Sequence, residues 1–235
     1  MSIKVELIAY TPAAEKIIAA AGKLCYSSAD IDSIMADIDE EAENYYVDML
    51  IGMGHESAIE HASYTFAIEG VSRVVLAQIT RHRIASFSVQ SQRYVGMQDF
   101  KYVVPPAIRE NAEALKEFEE LMDFAREKYN IISGLLTKDD KSAQAKKAAN
   151  EDARFVLPNA CETKIIMSMN ARALYNFFKL RTCERAQWEI RALAGKMLEK
   201  LKEVSPVLFK KAGPPCIFSG RCPEGKMSCG RIKKN

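Results

Sequence analysis

From Ser72 to Gln98 the chain contains no Asp or Glu, yet Arg73, Arg81, Arg83 and Arg93 fall inside that stretch among hydroxyl and amide side chains. Any fold must offer these guanidinium groups either carboxylates from elsewhere in the chain or an anion from outside. Guanidinium presents a rigid fork of N–H donors that matches phosphate or carboxylate oxygens two at a time, and Ser and Gln add neutral, directional hydrogen bonds. The densest part, Arg81-His82-Arg83 through Gln90-Ser91-Gln92-Arg93, reads as an anion-binding segment.

The charge is local rather than global. Lys and Arg number 33 against 31 Asp and Glu, a formal net charge of +2, which gives no general argument for nucleic acid or an acidic membrane surface. With 235 residues, 48% hydrophobic and 27% charged, the chain has the makings of a sizeable core. No run approaches the ~18 apolar residues of a membrane span. Met1 to Tyr10 lacks a basic segment followed by an apolar one, so the expected compartment is the cytoplasm. Six cysteines in this length do not make a disulfide scaffold, and Cys25, Cys161 and Cys183 are expected to be reduced, small hydrophobes.

Periodicity lays out the elements. Ile3, Val5 and Leu7 alternate with charged residues and predict an opening strand, after which Thr11 is placed to cap a helix that Pro12 starts and Leu24 ends. Tyr45 to Met53 predicts a short helix closed by Gly52 or Gly54. Ala62 to Glu69 alternates with Tyr64, Phe66 and Ile68 on one side, a strand; Ser72 is then a candidate cap for a helix to about Arg81, on which Gln78 and Arg81 share a face. After Pro105-Pro106, residues 107–133 predict a long helix with Leu115, Phe118, Leu121, Met122 and Ala125 facing the core, followed by a turn over 134–140. Further helices are expected over 142–157, with Arg154 on the last turn, over 170–178, and over 186–204; Thr163 to Ser168 is expected to be a strand. With no internal repeat and no linker, the expectation is one compact domain over 1–207 and a basic extension over 208–235.

Two clusters invite a metal reading. Gly54-His55-Glu56-Ser57-Ala58-Ile59-Glu60-His61 holds two of the three histidines, but they are six apart and about 120 degrees out of line on a helix. A helix start, with Glu56 and Glu60 favouring the positive dipole end, is the competing reading. Cys216, Cys222 and Cys229 could supply part of a zinc site completed from elsewhere, although no histidine lies near them in sequence; a flexible basic tail is the alternative.

Arg81-His82-Arg83, seven further residues and then Ser91 and Arg93, resembles the signature of the flavin-dependent thymidylate synthases. The resemblance extends through Gly54-His55-Glu56-Ser57 with Glu60-His61, Arg154-Phe155-Val156-Leu157-Pro158, and Asn170-Ala171-Arg172 leading to Asn176, Arg181, Gln187 and Trp188. It spans roughly Tyr10 to Val204, and the cysteine-bearing tail looks like an extension found in some members only. It implies an α/β fold, with a mainly antiparallel sheet flanked by long helices, and a homotetramer with shared active sites. It also implies an enzyme that makes dTMP from dUMP, with methylenetetrahydrofolate as one-carbon donor and FAD, reduced by NADPH, as hydride source. No GxGxxG fingerprint occurs, so a Rossmann mode of flavin binding is not expected.

Carried over residue by residue, the implied dUMP contacts are Gln78, Arg81, Val89, Gln90, Ser91, Gln92, Arg93, Arg154 and Arg181. Arg181 is the implied catalytic residue, beside the pyrimidine, where its charge favours the ionised N3 and a more nucleophilic C5. The implied FAD contacts are Ser57, Arg81, His82, Arg83, Val89, Asn170, Arg172 and Asn176, with His55 near the flavin. Val89 stands where members often have an acidic residue, so only its backbone could serve; Arg185 stands where others have His. Ser91 as a nucleophile would need an adjacent base, and the resemblance assigns it to substrate positioning instead. Two rivals remain at this point. A nucleic-acid module would rest on the same arginines with Phe87 and Tyr94 as a thin stacking platform, and a cysteine-metal protein would be organised by the tail.

Overall fold

The computed structural model describes residues 2–232. In chain order its regular elements are β1 (Lys4–Tyr10), α1 (Ala14–Leu24), α2 (Ile31–Ala36), α3 (Glu40–Met53), β2 (Ser63–Ser72), α4 (Leu76–Ile79), β3 (Ser86–Val89), α5 (Pro106–Arg109), α6 (Ala112–Leu136), α7 (Ala143–Ala153), β4 (Glu162–Asn170), α8 (Ala171–Arg181), α9 (Trp188–Val204) and α10 (Pro215–Phe218). The strands form an open, antiparallel four-stranded sheet in the order β1-β2-β4-β3, the α/β class expected. By packing, the residues divide into two interleaved compact units. One gathers Glu69–Gln78 and Ser88–Ile165, the other Val5–Ile68, Ile79–Phe87 and the chain from Ile166 onward.

In the second unit the alternation read from sequence becomes burial. Tyr64, Phe66 and Ile68 of β2 and Met167 and Met169 of β4 are buried, and so are Leu174, Phe177 and Phe178 of α8 and Ile190, Leu193, Met197 and Leu201 of α9. Each large apolar side chain removed from water contributes roughly 1.5–3 kcal/mol, so these periodic stripes are what hold the helices to the sheet. The core continues past α9: Leu208 and Phe209 are fully buried, the Phe209 ring stacks on Tyr175, and the Tyr175 hydroxyl donates to the Leu208 carbonyl. Helices α1 and α3 approach closely at Gly22, where a Cβ would lie 2.7 Å from Leu50 Cδ1. In the first unit a separate core forms around Met97, Phe100, Met122, Tyr129 and Cys161.

Several local expectations are corrected. Thr11 does not cap α1; its hydroxyl accepts from Ser63 N (2.9 Å) and its own N–H donates to the Ser63 carbonyl, extending strand-like pairing. The helix starts two residues later, after Ala13 takes a left-handed conformation (φ 48°). Ser72 caps only a short 3-10 turn, its hydroxyl accepting from Val74 N, and helical structure stops at Ile79 rather than at Arg81. A break at Glu110 and Asn111 separates α5 from α6, which runs on through the expected turn to Leu136. Leu121, placed on the core face of α6 by its spacing, is 56% exposed, because the packed stripe runs through Met122, Ala125, Tyr129 and Ser133 instead. Cys25 is exposed rather than packed. Cys161 is buried, and burial pushes its thiol up to about 11, so it behaves as an unreactive hydrophobe.

Candidate active site

In the second unit, four sequence-distant segments line one cavity of about 990 Å³, and three of them carry residues predicted from the sequence. The first is the end of α3. Gly54 closes that helix with φ 75°, its N–H donating to the Ile51 carbonyl while His55 N donates to the Leu50 carbonyl at 2.9 Å. This paired closure of a helix end favours glycine because the left-handed conformation crowds any Cβ. His55 therefore leaves the helix directly onto the cavity wall.

The second segment is the turn after α4. Arg81 and Arg83 are exposed and line the cavity, while His82 between them is buried, 7% exposed, its ring packed edge-on against Phe177 at 5.1 Å. Arg181 Nε lies 3.3 Å from His82 Nε2. A guanidinium N–H can only donate, so Nε2 accepts and the imidazole proton sits on Nδ1. Burial, followed by the charge of Arg181, pushes His82 down to about 4, so the ring is neutral at physiological pH. Arg181 is itself lowered, by burial and then by the repulsion of Arg81. Two guanidinium groups that repel each other in a partly desolvated place favour an anion between or beside them.

The third segment is the junction of β4 and α8. Asn170 caps α8, its side-chain oxygen accepting from Ala173 N at 2.9 Å, and so turns Arg172 and Asn176 onto one face. All three line the cavity. Arg172 donates to Glu56 (Nε to Oε2, 3.0 Å) and to Glu60 (2.5 Å). This pair answers the octet 54–61: its carboxylates hold an arginine, and residues 58–61 form a 3-10 turn rather than a helix start. Lys179 lines the same cavity, and the sequence reading missed it, although the signal was present: 172, 176 and 179 fall on one stripe of α8. Ser57 instead borders an adjoining pocket of about 140 Å³, shared with His55 and His61.

The remaining predicted residues fall in the first unit. Arg93 donates to Glu151 through Nε (2.8 Å) and Nη2 (2.6 Å), so a carboxylate 58 positions along the chain neutralises one of the four arginines that lack a local acid. Its carbonyl accepts from Asn150 Nδ2, and Asn150 Oδ1 accepts from Tyr129, whose hydroxyl accepts in turn from Met97 N. The Ser91 hydroxyl accepts from Arg93 N at 3.2 Å. Gln92 is buried, and its Nε2 has no hydrogen-bond partner among the described residues. Gln90 N donates to the Lys164 carbonyl, continuing the pairing of β3, where Val89 is the last residue. Arg154, at the C-terminus of α7, donates from Nε to the Glu151 carbonyl, and its charge lowers Arg73, which burial lowers more. Gln78 belongs to this unit, whereas Arg81 and Arg181 belong to the other.

Among the described residues no three His, Cys, Asp or Glu side chains are grouped to hold a metal, so neither the octet nor Cys216, Cys222 and Cys229 forms such a cluster. The six cysteines are free. No described helix is long and apolar enough to cross a membrane.

Comparison with known proteins supplies independent information. A family model described as thymidylate synthase complementing protein matches residues 6–207. The flavin-dependent thymidylate synthase of Clostridium tetani is 51% identical over 98% of this chain and 94% of its own length. That of Nitratidesulfovibrio vulgaris is 47% identical, over 97% and 94% respectively. The archaeal enzyme of the same name from Sulfolobus acidocaldarius is 44% identical over 92% of this chain and 79% of its own length.

Proposed function

We propose a function from one premise: the chain belongs to the thymidylate synthase complementing protein family, the flavin-dependent thymidylate synthases. It is an enzyme that makes thymidylate with a flavin. In the reading we favour it converts dUMP to dTMP, takes the carbon from methylenetetrahydrofolate and uses NADPH as reductant. Bound FAD would supply the hydride that completes the methyl group.

The observation that carries this reading is that Arg81, His82, Arg83, Asn170, Arg172 and Asn176, distant in sequence, line one cavity. The donor set suits a dinucleotide. Arginines and a capped helix N-terminus answer a pyrophosphate, and about 990 Å³ is at the upper end of the range for cofactor pockets. Arg172 is held by Glu56 and Glu60, which fixes its fork while leaving donors to share. Ser57 and His55 would serve the same ligand from the adjoining pocket. Val89 could contribute only backbone.

For dUMP, the proposed contacts are Gln78, Arg81, Val89, Gln90, Ser91, Gln92, Arg93, Arg154 and Arg181. Gln92 offers a buried donor without a protein partner, which suits a ligand acceptor. Ser91 positions substrate and does not attack it, since its hydroxyl accepts from Arg93 N and no base is hydrogen-bonded to it among the described residues. Arg181, donating to neutral His82, is oriented with its charge intact and would stabilise negative charge developing on the pyrimidine. Residues 1–207 carry this chemistry in our reading, and the enzyme works as a cytoplasmic homotetramer with no nucleic-acid partner. Leu121, Phe124, Ile131 and Leu135 support assembly: four apolar side chains at spacings of three, seven and four are exposed along α6.

The test is direct. The purified protein, supplied with dUMP, methylenetetrahydrofolate, NADPH and FAD, is expected to form dTMP, detected by chromatography, and to form none when dUMP or FAD is left out. Absence of dTMP from the complete mixture contradicts the reading. Light scattering is expected to give four chains per particle, and full activity in a dilute monomer would overturn the shared-site assembly.

A further inference from the structure

The last segment of the chain reads from sequence as a basic tail, yet Gly213, Pro215, Phe218 and Ser219 line the same cavity as Arg81 and Arg172. This segment is tied down at both ends. Where it begins, Ala212, Gly213 and Pro214 are buried directly after Leu208 and Phe209. Gly213 adopts φ 154° against Ile217, where a Cβ would sit 3.6 Å from the Ile217 Cβ. The short α10 then folds on itself: Ile217 N donates to the Pro214 carbonyl at 2.8 Å, and the Ser219 hydroxyl to the Pro215 carbonyl at 2.8 Å. Further on, Glu224 pairs with Arg185, and Arg231 pairs with Glu184 at 2.5 Å; Glu184 also holds Arg191 at 2.7 Å. Glu184 and Arg185 belong to the turn that follows Arg181.

The other segments offer cations and amides, which answer phosphates, together with the aliphatic side chains of Ile51, Met53, Ile59 and Ile84, whereas a dinucleotide also carries flat heteroaromatic rings that stack on an aromatic face. Tyr175 has one face taken by Phe209, and His82 is packed on Phe177. Phe218 is half-exposed on the lining and pairs with no aromatic ring among the described residues.

We propose that residues 213–231 form a wall of the ligand cavity, that Phe218 provides the face on which a ring of the bound dinucleotide stacks, and that Glu224 and Arg231 fix this wall to the turn after Arg181. The proposal rests on the assignment of the cavity to FAD. Glu224 and Arg231 are positioning residues, acting through Arg185 and Glu184. Each pair is more than a third exposed, so each alone is weak and the two act together.

The experiment is a fluorescence titration of FAD into full-length protein, for wild type, Phe218→Ala, Phe218→Trp and the double variant Glu224→Gln/Arg231→Gln. Stacking on one aromatic ring corresponds to about a tenfold change in affinity. Phe218→Ala is expected to raise the FAD Kd about tenfold and to lose quenching of the bound flavin, whereas Phe218→Trp restores both. The double variant is expected to raise the Kd a few-fold and to make residues 213–231 a site of early proteolysis. Equal affinity and quenching in wild type and Phe218→Ala overturn the stacking role, and unchanged proteolysis and affinity in the double variant overturn the anchoring. A wild-type chain that takes up no FAD sinks the cavity assignment itself, whereas a wild type that binds FAD no differently from Phe218→Ala sinks the stacking role alone, so the two failures are distinguishable.

Discussion

The cavity of the second unit and the polar loop of the first carry similar side chains in opposite states. In the cavity, Arg81 and Arg83 are exposed on the wall of an open concavity, and Arg172, although paired, faces that same space. In the loop, Arg93 is joined to Glu151 and the Ser91 hydroxyl caps the backbone of Arg93. Guanidinium lining a concavity is ready for a ligand; guanidinium joined to a carboxylate first serves the fold and meets a ligand only by sharing donors. An acid-free stretch of sequence is therefore held in more than one way: Arg81, His82, Arg83 and Ile84 line the cavity, whereas Arg93 is joined to Glu151 in a loop held by its own hydrogen bonds.

The largest effect we expect is from Arg181→Ala. Removing a fixed donor from a developing anion lowers kcat about 10²- to 10³-fold, read as dTMP formation. His82, freed of a neighbouring cation, should at the same time titrate higher than its present value of about 4 when followed by NMR.

The pH dependence of stability sharpens the comparison next, because His82 is the titrating group of the cavity turn. Its value falls from 6.5 to about 4 on folding, so the folded ring stays neutral where the unfolded ring already takes a proton. The stabilising contribution is present above about pH 6.5 and is lost as the pH falls toward about 4. Urea unfolding is expected to show a loss of about 2 kcal/mol between about pH 7 and pH 5 that His82→Gln abolishes. A variant with the same pH slope as wild type would refute that assignment.

A crossed pair of substitutions then tries to break the two regions apart. Arg172→Ala removes a cation from the cavity and releases Glu56 and Glu60 toward an anionic ligand, so the FAD Kd should rise about tenfold with the KM for dUMP nearly unchanged. Arg93→Ala should do the reverse, raising the KM for dUMP about tenfold while FAD binds as before. If either variant moves both constants equally, the regions are not separable. The smallest effect expected is from Ser91→Ala: it removes a local hydrogen bond, and turnover should fall only about threefold. Complete loss with dUMP still bound would count against a positioning role for Ser91.

Most of what was legible in the sequence came from periodicity and caps. The alternation at Tyr64, Phe66 and Ile68, the cap at Asn170 and the spacing from Ile190 to Leu201 each set a local structure that packing then kept. What misled was local grammar overruled by longer-range partners. Thr11 looks like a cap until Ser63 takes its hydroxyl, and Leu121 shares its spacing with Met122 although only one of them finds a core. Part of the cavity lining was legible as a set of residues, through Arg81-His82-Arg83 and through Asn170 and Arg172, but not as an arrangement. Nothing local announces that Glu151 neutralises Arg93 or that Phe218 reaches the cavity wall, because those pairings depend on chain segments far apart in sequence.

Whether the cavity of the second unit holds the flavin and responds to bound nucleotide is read from the visible spectrum. FAD is added to the purified protein, unbound flavin is removed, and dUMP is titrated in. About one flavin per chain is expected to be retained, with a bound spectrum that shifts and saturates with dUMP. A protein that retains no flavin after FAD has been supplied contradicts the assignment of the cavity.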